Sequence, residues 1–269
     1  MKHADFYKPQ SELLSRHIEG YYFMNQKDDY PFQYYTFPNN FCILTLMKNA
    51  SLEIKGHDVL ISRSHIPAQI SSLTYHYKTQ LSVQYLQPVE ELTVYFKPNG
   101  INHFINNMID FYRAESMVSF EPYEDFKSVF FKIFDLESRT AQIEYLENQL
   151  TSLFCEQKDL LIENLLSDLG SDLSIEDIAQ KHKISRQYLN QYFKLKIGKS
   201  PSEFRKVSRF RKLLESYKNK EKSLTQISYD HLFFDQSHFN RDFKAMTKLN
   251  PKEFLAKTDL DQQNKWLIF

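Results

Sequence analysis

The stretch FKLKIGKSPSEF, residues 193–204, returns 50 residues later as FKAMTKLNPKEF, residues 243–254. In both copies a Phe-Lys pair is followed by six residues and then by Pro-x-Glu-Phe. Leu189 corresponds to Phe239 at the same offset, and Ile178 to Ile227 at 49, so one residue is gained in the turn inside the unit. Matches at a nearly fixed offset identify two copies of one supersecondary unit.

Each copy reads as helix–turn–helix. In the first, Ser174 and Asp177 have capping-box spacing, and Ile175, Ile178 and Ala179 form the inner face of a short helix. After a turn at His182–Ile184, Ser185 caps a second helix with Tyr188, Leu189, Tyr192 and Phe193 turned inward. In the second copy Leu224, Ile227 and Ser228 play the first helix, Leu232 and Phe233 mark the turn, and Asp235 is the cap. The inner residues that follow are Phe239, Phe243 and Met246. Pro201 and Pro251 sit in first turns, where proline is tolerated. Between the copies, PSEFRKVSRFRKLLESY reads as one helix with a basic face of Arg205, Lys206, Arg209 and Lys212.

Charge separates this region from the rest. The chain is neutral overall, yet residues 1–170 hold 14 Lys and Arg against 22 Asp and Glu, and residues 171–258 hold 19 against 10. A basic segment of this size is the footprint of a polyanion binder. The length of 269 residues suits two domains of ordinary size, and 42% hydrophobic content with 25% charged is that of a soluble globular chain. Five glycines largely exclude Gly-rich phosphate loops. The start, MKHADFYKPQSELL, has no apolar run, no stretch approaches 18 apolar residues, and Cys42 and Cys155 are far apart. These features predict a cytoplasmic chain with no secretory signal, membrane span or disulfide framework.

The first hundred residues read as short strands: YYFMNQ, YYTFPNNFCILTLMK, ASLEIKG, DVLISRS, SSLTYHYK, QLSVQYL and ELTVYFK. Their spacing predicts an antiparallel β-sandwich or barrel-like domain. INHFINNMIDFY begins a helix. Phe126, Val129, Phe130, Ile133 and Phe134, then Ile143, Leu146, Leu150 and Leu153, recur at steps of three and four, so helices follow that either cap the β domain, the commoner role for such stripes, or make a dimer seam. The expected class is α+β: a β-rich sensor or regulatory domain at 1–110, a helical linker or dimerisation segment at 111–170, and an all-α domain with two helix–turn–helix units at 171–258.

Residues 173–257 resemble the DNA-binding domain of AraC-type transcription regulators. The resemblance runs through Ile227, Phe233, Asp235, Gln236, Ser237, His238, Phe239, Arg241, Phe243, Lys244 and Pro251. In the first unit it runs through Ala179, Ser185, Leu189, Phe193, Gly198 and Pro201, with Arg209 in the linker helix. The family's turn glycine of the second unit is Leu232 here, and the glycine before its last proline is Lys248. The N-terminal part is similar, more weakly, to a β-rich domain found in some of these regulators, which implies sensing or dimerisation.

The resemblance implies a sequence-specific transcription regulator with two recognition helices in successive major grooves. Base readers would be Arg186, Gln187, Asn190 and Gln191 on the first helix, and Gln236, Ser237, His238 and Arg241 on the second. Arg pairs with guanine, and Asn or Gln with adenine; His238 has packing or local capping as an equal alternative. Lys194, Lys196, Lys199, Arg205, Lys206 and Lys244 are the expected phosphate contacts. The expected partners are double-stranded DNA, a small-molecule effector, a second copy of the chain and RNA polymerase; no membrane and no cofactor are expected.

Tyr34, Tyr35, Tyr75 and Tyr77 are candidate walls of an effector pocket, although alternating aromatics in strands are more often plain core. The alternative is a β domain that serves only as a protein-interaction module. An enzyme is disfavoured. His57, His65, His76 and His103 lie where a cupin-like metal site would fall, but no HxH or tight His/Glu set accompanies them. Asp235, Ser237 and His238 do not converge as a catalytic triad, because residues so close along one helix point apart. No catalytic residue and no metal ligand is assigned.

Overall fold

A computed structural model describes residues 4–24, 30–112, 117–218, 236–257 and 267–268, without the side chains of 217–218, 236–239, 255–257 and 267–268. The N-terminal half is two stacked sheets with helices over one of them. The first sheet has the order β1-β2-β9-β4-β7-β10, made from β1 (Ala4–Tyr7), β2 (Ile18–Met24), β4 (Cys42–Lys48), β7 (Gln69–Thr74), β9 (Glu90–Phe96) and β10 (Met117–Ser119). The second has the order β11-β3-β8-β6-β5, from β3 (Phe32–Thr36), β5 (Ala50–Lys55), β6 (Asp58–Arg63), β8 (Leu81–Tyr85) and β11 (Leu267–Ile268). Pairing is antiparallel except between β6 and β8, which run parallel.

The first sheet is the middle layer, which explains the near-continuous apolar runs of β2 and β9. Strands covered on both faces need no polar alternation. Phe23, Leu44, Leu46, Leu92, Val94 and Phe96 face one core, and Tyr22, Met24, Met47 and Tyr95 face the second sheet. The first core is closed by α1 (Glu12–His17), α2 (Met108–Tyr112), α3 (Phe126–Phe130) and α4 (Arg139–Leu153).

The segment expected as a linker therefore divides. Phe126, Phe130, Ile143, Leu146 and Leu150 bury in the β domain's own core. The next helix, α5 (Leu160–Leu169), packs Ile162, Leu165 and Leu169 into the first helix–turn–helix unit. The strand expected from YYTFPNNFCILTLMK also divides, at the loop 37–41 between β3 and β4. That loop is one of the places where the two halves of the molecule meet, α2 against the helix Arg186–Ile197 being another.

Candidate nucleic-acid interface

The first unit consists of α6 (Ile175–Lys181) and α7 (Arg186–Ile197). Ser174 and Asp177 form a reciprocal capping box, and the Ser185 hydroxyl accepts from the Tyr188 N–H at 3.1 Å. The linker helix α8 (Pro201–Lys218) leads toward α9 (Gln236–Thr247) and α10 (Pro251–Lys257). The first helix and turn of the second unit, with Asp235, lie outside the described residues.

The sequence repeat is a repeat of side-chain geometry. Phe193 meets Phe204 edge to face at 5.4 Å between ring centroids, and Phe243 meets Phe254 edge to face at 5.2 Å. The Glu203 N–H donates to Ser200 Oγ at 3.2 Å while the Ser200 N–H donates to the Glu203 carboxylate at 3.0 Å. Glu253 and Asn250 exchange the same pair of bonds at 2.9 and 3.3 Å. Burial raises the pKa of Glu203, but the Ser200 bonds and the positive field of His76 and Lys78 outweigh it and hold the carboxyl at about 2. Gly198 and Lys248 occupy equivalent left-handed positions, with φ of 80° and 60°.

On α7, Leu189, Phe193 and Ile197 are buried, and Arg186, Gln187, Gln191 and Lys194 are exposed. Asn190 is half-buried and its amide donates to the Arg186 carbonyl at 2.9 Å, so a base contact would have to displace that bond. Tyr188, expected inside, is instead 48% exposed and stacks on Tyr192 at 5.7 Å. Leu189, Phe193 and Ile197 already fill the inward stripe, which leaves Tyr188 beside Gln187 and Gln191. On α9, Asn240, Arg241 and Lys244 are exposed, while Phe243 and Met246 are buried. The side chains of Gln236, Ser237 and His238 lie outside the described residues.

A family model described as “Helix-turn-helix domain” matches residues 178–257. The chain carries an AraC-type DNA-binding domain. The Transposon Tn10 TetD protein of Escherichia coli is 24% identical over 118 residues, which are 44% of this chain and 83% of that protein. Among solved structures, the apo form of a ToxT variant from Vibrio cholerae aligns with a TM-score of 0.44 and 13% identity, covering 93% of this chain and 99% of that one. A fatty-acid-bound wild-type ToxT aligns with a TM-score of 0.40 and 14% identity, covering 87% and 93%.

The AraC-type domain presses its linker helix against the β domain, and this relocates several expected phosphate contacts. Lys199 is only 3% exposed and donates to the Asn39 carbonyl at 2.8 Å, so it faces the domain junction and not a DNA surface. Burial lowers its pKa to about 8. Lys206 pairs with Asp242 at 2.9 Å and so ties α8 to α9, and Lys196 pairs with Asp159 at 2.8 Å. Two guanidinium nitrogens of Arg205, Nε and Nη2, are enclosed. Lys194 and Lys244 remain exposed.

The expected tyrosine pocket is also redrawn. Tyr34 and Tyr77 line a cavity of about 80 Å³ between the sheets, with Tyr22, Tyr85 and Tyr95. Tyr35 is 40% exposed, because its alternate position on β3 turns it away from the sandwich interior. Tyr75 lies in the other core against Tyr112, at 4.9 Å between rings. The residue that sequence reading missed is Glu91, buried in the cavity wall and accepting from Tyr22 at 2.8 Å, Tyr85 at 2.6 Å and Thr93 at 2.9 Å. Burial raises its pKa against the pull of those three donors. Glu91 adjoins Glu90 in a strand start, so no local pattern marked it. Among the described residues no group of three or more His, Cys, Asp or Glu is placed to hold a metal ion, and no helix is long and apolar enough to cross a membrane.

Proposed function

We propose that the AraC-type domain reads about two turns of duplex DNA as a sequence-specific transcription regulator, with α7 and α9 in successive major grooves. The observation that carries this reading is the duplicated unit on one continuous helix. The 18 residues of α8 span about 27 Å at 1.5 Å per residue, comparable with one DNA turn of roughly 34 Å. Gln187, Gln191 and Arg186, with Tyr188 beside them, are the base-reading set of the first helix; Asn190 joins it only by giving up its backbone bond. Arg241 leads the second set, with Gln236, Ser237 and His238. Lys194 and Lys244 contribute phosphate contacts, and a dimer would read a direct or inverted pair of such sites. Selection of bound sequences from random DNA by the purified full chain tests the proposal. A two-part motif supports it, and recovery of unrelated sequences overturns it.

For the β domain, the filled sandwich favours transmission of contacts over enclosure of a large effector. A cavity of about 80 Å³ falls well below the roughly 300–1,000 Å³ of ordinary ligand sites. The buried carboxyl of Glu91 further favours a small neutral or cationic molecule over an anion. A thermal-shift screen of the full chain against small amines, sugars and carboxylates tests this. Stabilisation by carboxylates alone would overturn it.

A further inference from the structure

Four consecutive residues of the β domain, Phe37 to Asn40, are built into the DNA-binding domain. Phe37 is 3% exposed and lies in a cluster with Phe210, Leu213, Phe243, Met246 and Phe254. Its ring meets Phe254 edge to face at 5.0 Å. Phe254 is the residue that plugs the second unit, so Phe37 enters that unit's core from outside the domain. The half-buried Arg211, on α8, donates from its guanidinium to the carbonyls of Pro38, at 2.7 Å, and Phe37. The neighbouring Gln80 N–H donates to the Met246 carbonyl at 2.8 Å.

The other end of the same loop holds the first unit's side of α8. The Asn40 amide donates to the Phe204 carbonyl at 3.0 Å and to Ser208 Oγ at 2.8 Å. Lys199, just after the α7 cap, donates to the Asn39 carbonyl. One short loop therefore grips the exit of the first unit and the core of the second. A single helix can bend and its ends can rotate, but a rigid wedge bonded at both places removes that freedom.

We infer that the loop 37–40 is a positioning device that fixes the second recognition helix relative to the first, and so sets the spacing of half-sites the protein accepts. This rests on the two-groove reading above. The loop is also wired to the β-domain cavity. Tyr77 lines that cavity and donates to the Phe37 carbonyl at 2.7 Å, while its oxygen receives the Asn39 amide at 2.9 Å. Thr36, another lining residue, lies 2.9 Å from the same hydroxyl. Anything that displaces Tyr77 displaces the wedge.

The test uses the full chain and a site selected from random DNA, with and without one base pair inserted between its halves. Wild type is expected to prefer the selected spacing by roughly tenfold, the scale of one lost base contact. Phe37→Ala should shrink that ratio at least about threefold, and Phe37→Leu should restore most of it. Asn40→Ala leaves the aromatic cluster intact and should shrink the ratio in the same direction, which keeps the test decisive if Phe37→Ala folds poorly. A ratio unchanged in Asn40→Ala, or in Phe37→Ala that folds, overturns the positioning role alone. Wild type with no spacing preference overturns the two-groove reading, and the positioning role with it.

Discussion

The two helix–turn–helix units repeat each other in sequence and part company, among the described residues, in what packs into their cores. The first is sealed by α5, whose Ile162, Leu165 and Leu169 join Ile178, Leu189, Phe193 and Phe204. Among the described residues of the second, Phe37 from the opposite half of the chain joins Phe210, Leu213, Phe243, Met246 and Phe254. The same Phe-Phe pair and the same capping exchange are thus set against α5 in one unit and, among the described residues, against a β-domain ring in the other. The difference puts a β-domain ring inside the described core of the second unit, whereas the first unit meets the β domain at its surface, with α2 against α7 and Gly198 beside Tyr75 and Tyr112.

The hardest way to break the comparison is to remove the shared aromatic plug. Phe193→Ala and Phe243→Ala should each cost about 3–5 kcal/mol by chemical denaturation, since both rings are fully enclosed. Hydrogen exchange should show Phe193→Ala loosening α5 through α7, and Phe243→Ala loosening α9 and the 37–40 loop. Loosening of the same segments in both variants would mean that the two cores are not separate.

The junction itself is tested by pH. Lys199 binds its proton more weakly in the folded chain, at about 8, than at its ordinary 10.5. Between those values the unfolded chain holds more protons, so folded stability rises with pH; below about 8 the burial penalty stands in full. The gain across the window is on the order of 3 kcal/mol at 1.36 kcal/mol per unit. Lys199→Met should flatten that part of the stability profile. An equal rise in the variant would assign it to other groups.

Recognition should divide between the helices. Arg241→Ala and Gln187→Ala should each weaken binding to the selected site by about 1–3 kcal/mol, each at a different half, with much smaller losses on unrelated DNA. Equal losses on both kinds of DNA would remove either residue from base reading. Affinity for both DNAs should fall steeply with added salt, as Lys194 and Lys244 displace counterions. The smallest effect concerns the left-handed cap. Lys248→Gly should stabilise the chain by at most about 1 kcal/mol in thermal denaturation, because only glycine takes that conformation without cost. At Gly198 the reverse change is harsh: a Cβ would lie 2.5 Å from the Tyr75 ring.

Much of this was legible in the sequence. The 50-residue echo located both Phe pairs, and short runs rich in β-branched and aromatic residues located β2 through β9 within a few residues. Local pattern could not reveal long-range partners. Lys199 reads as a solvated cation until Asn39 and Asn40 are folded against it. Phe37 reads as the middle of a strand, although Pro38 interrupts it. Tyr188 has the spacing of an inward residue, but the stripe beside it is already full. The stripes of 126–153 fit a cap on the β domain or a dimer seam, with core the commoner role, and the face of the first sheet is where they bury.

The central claim is that two units on one helix read one face of the duplex. The most direct measurement is the affinity of the full chain for its selected site after insertion of five base pairs, about half a helical turn, between the halves. The account predicts a fall to the affinity of a site with one half scrambled, because the second recognition helix then faces the wrong side of the duplex. Affinity unchanged by the insertion would contradict it.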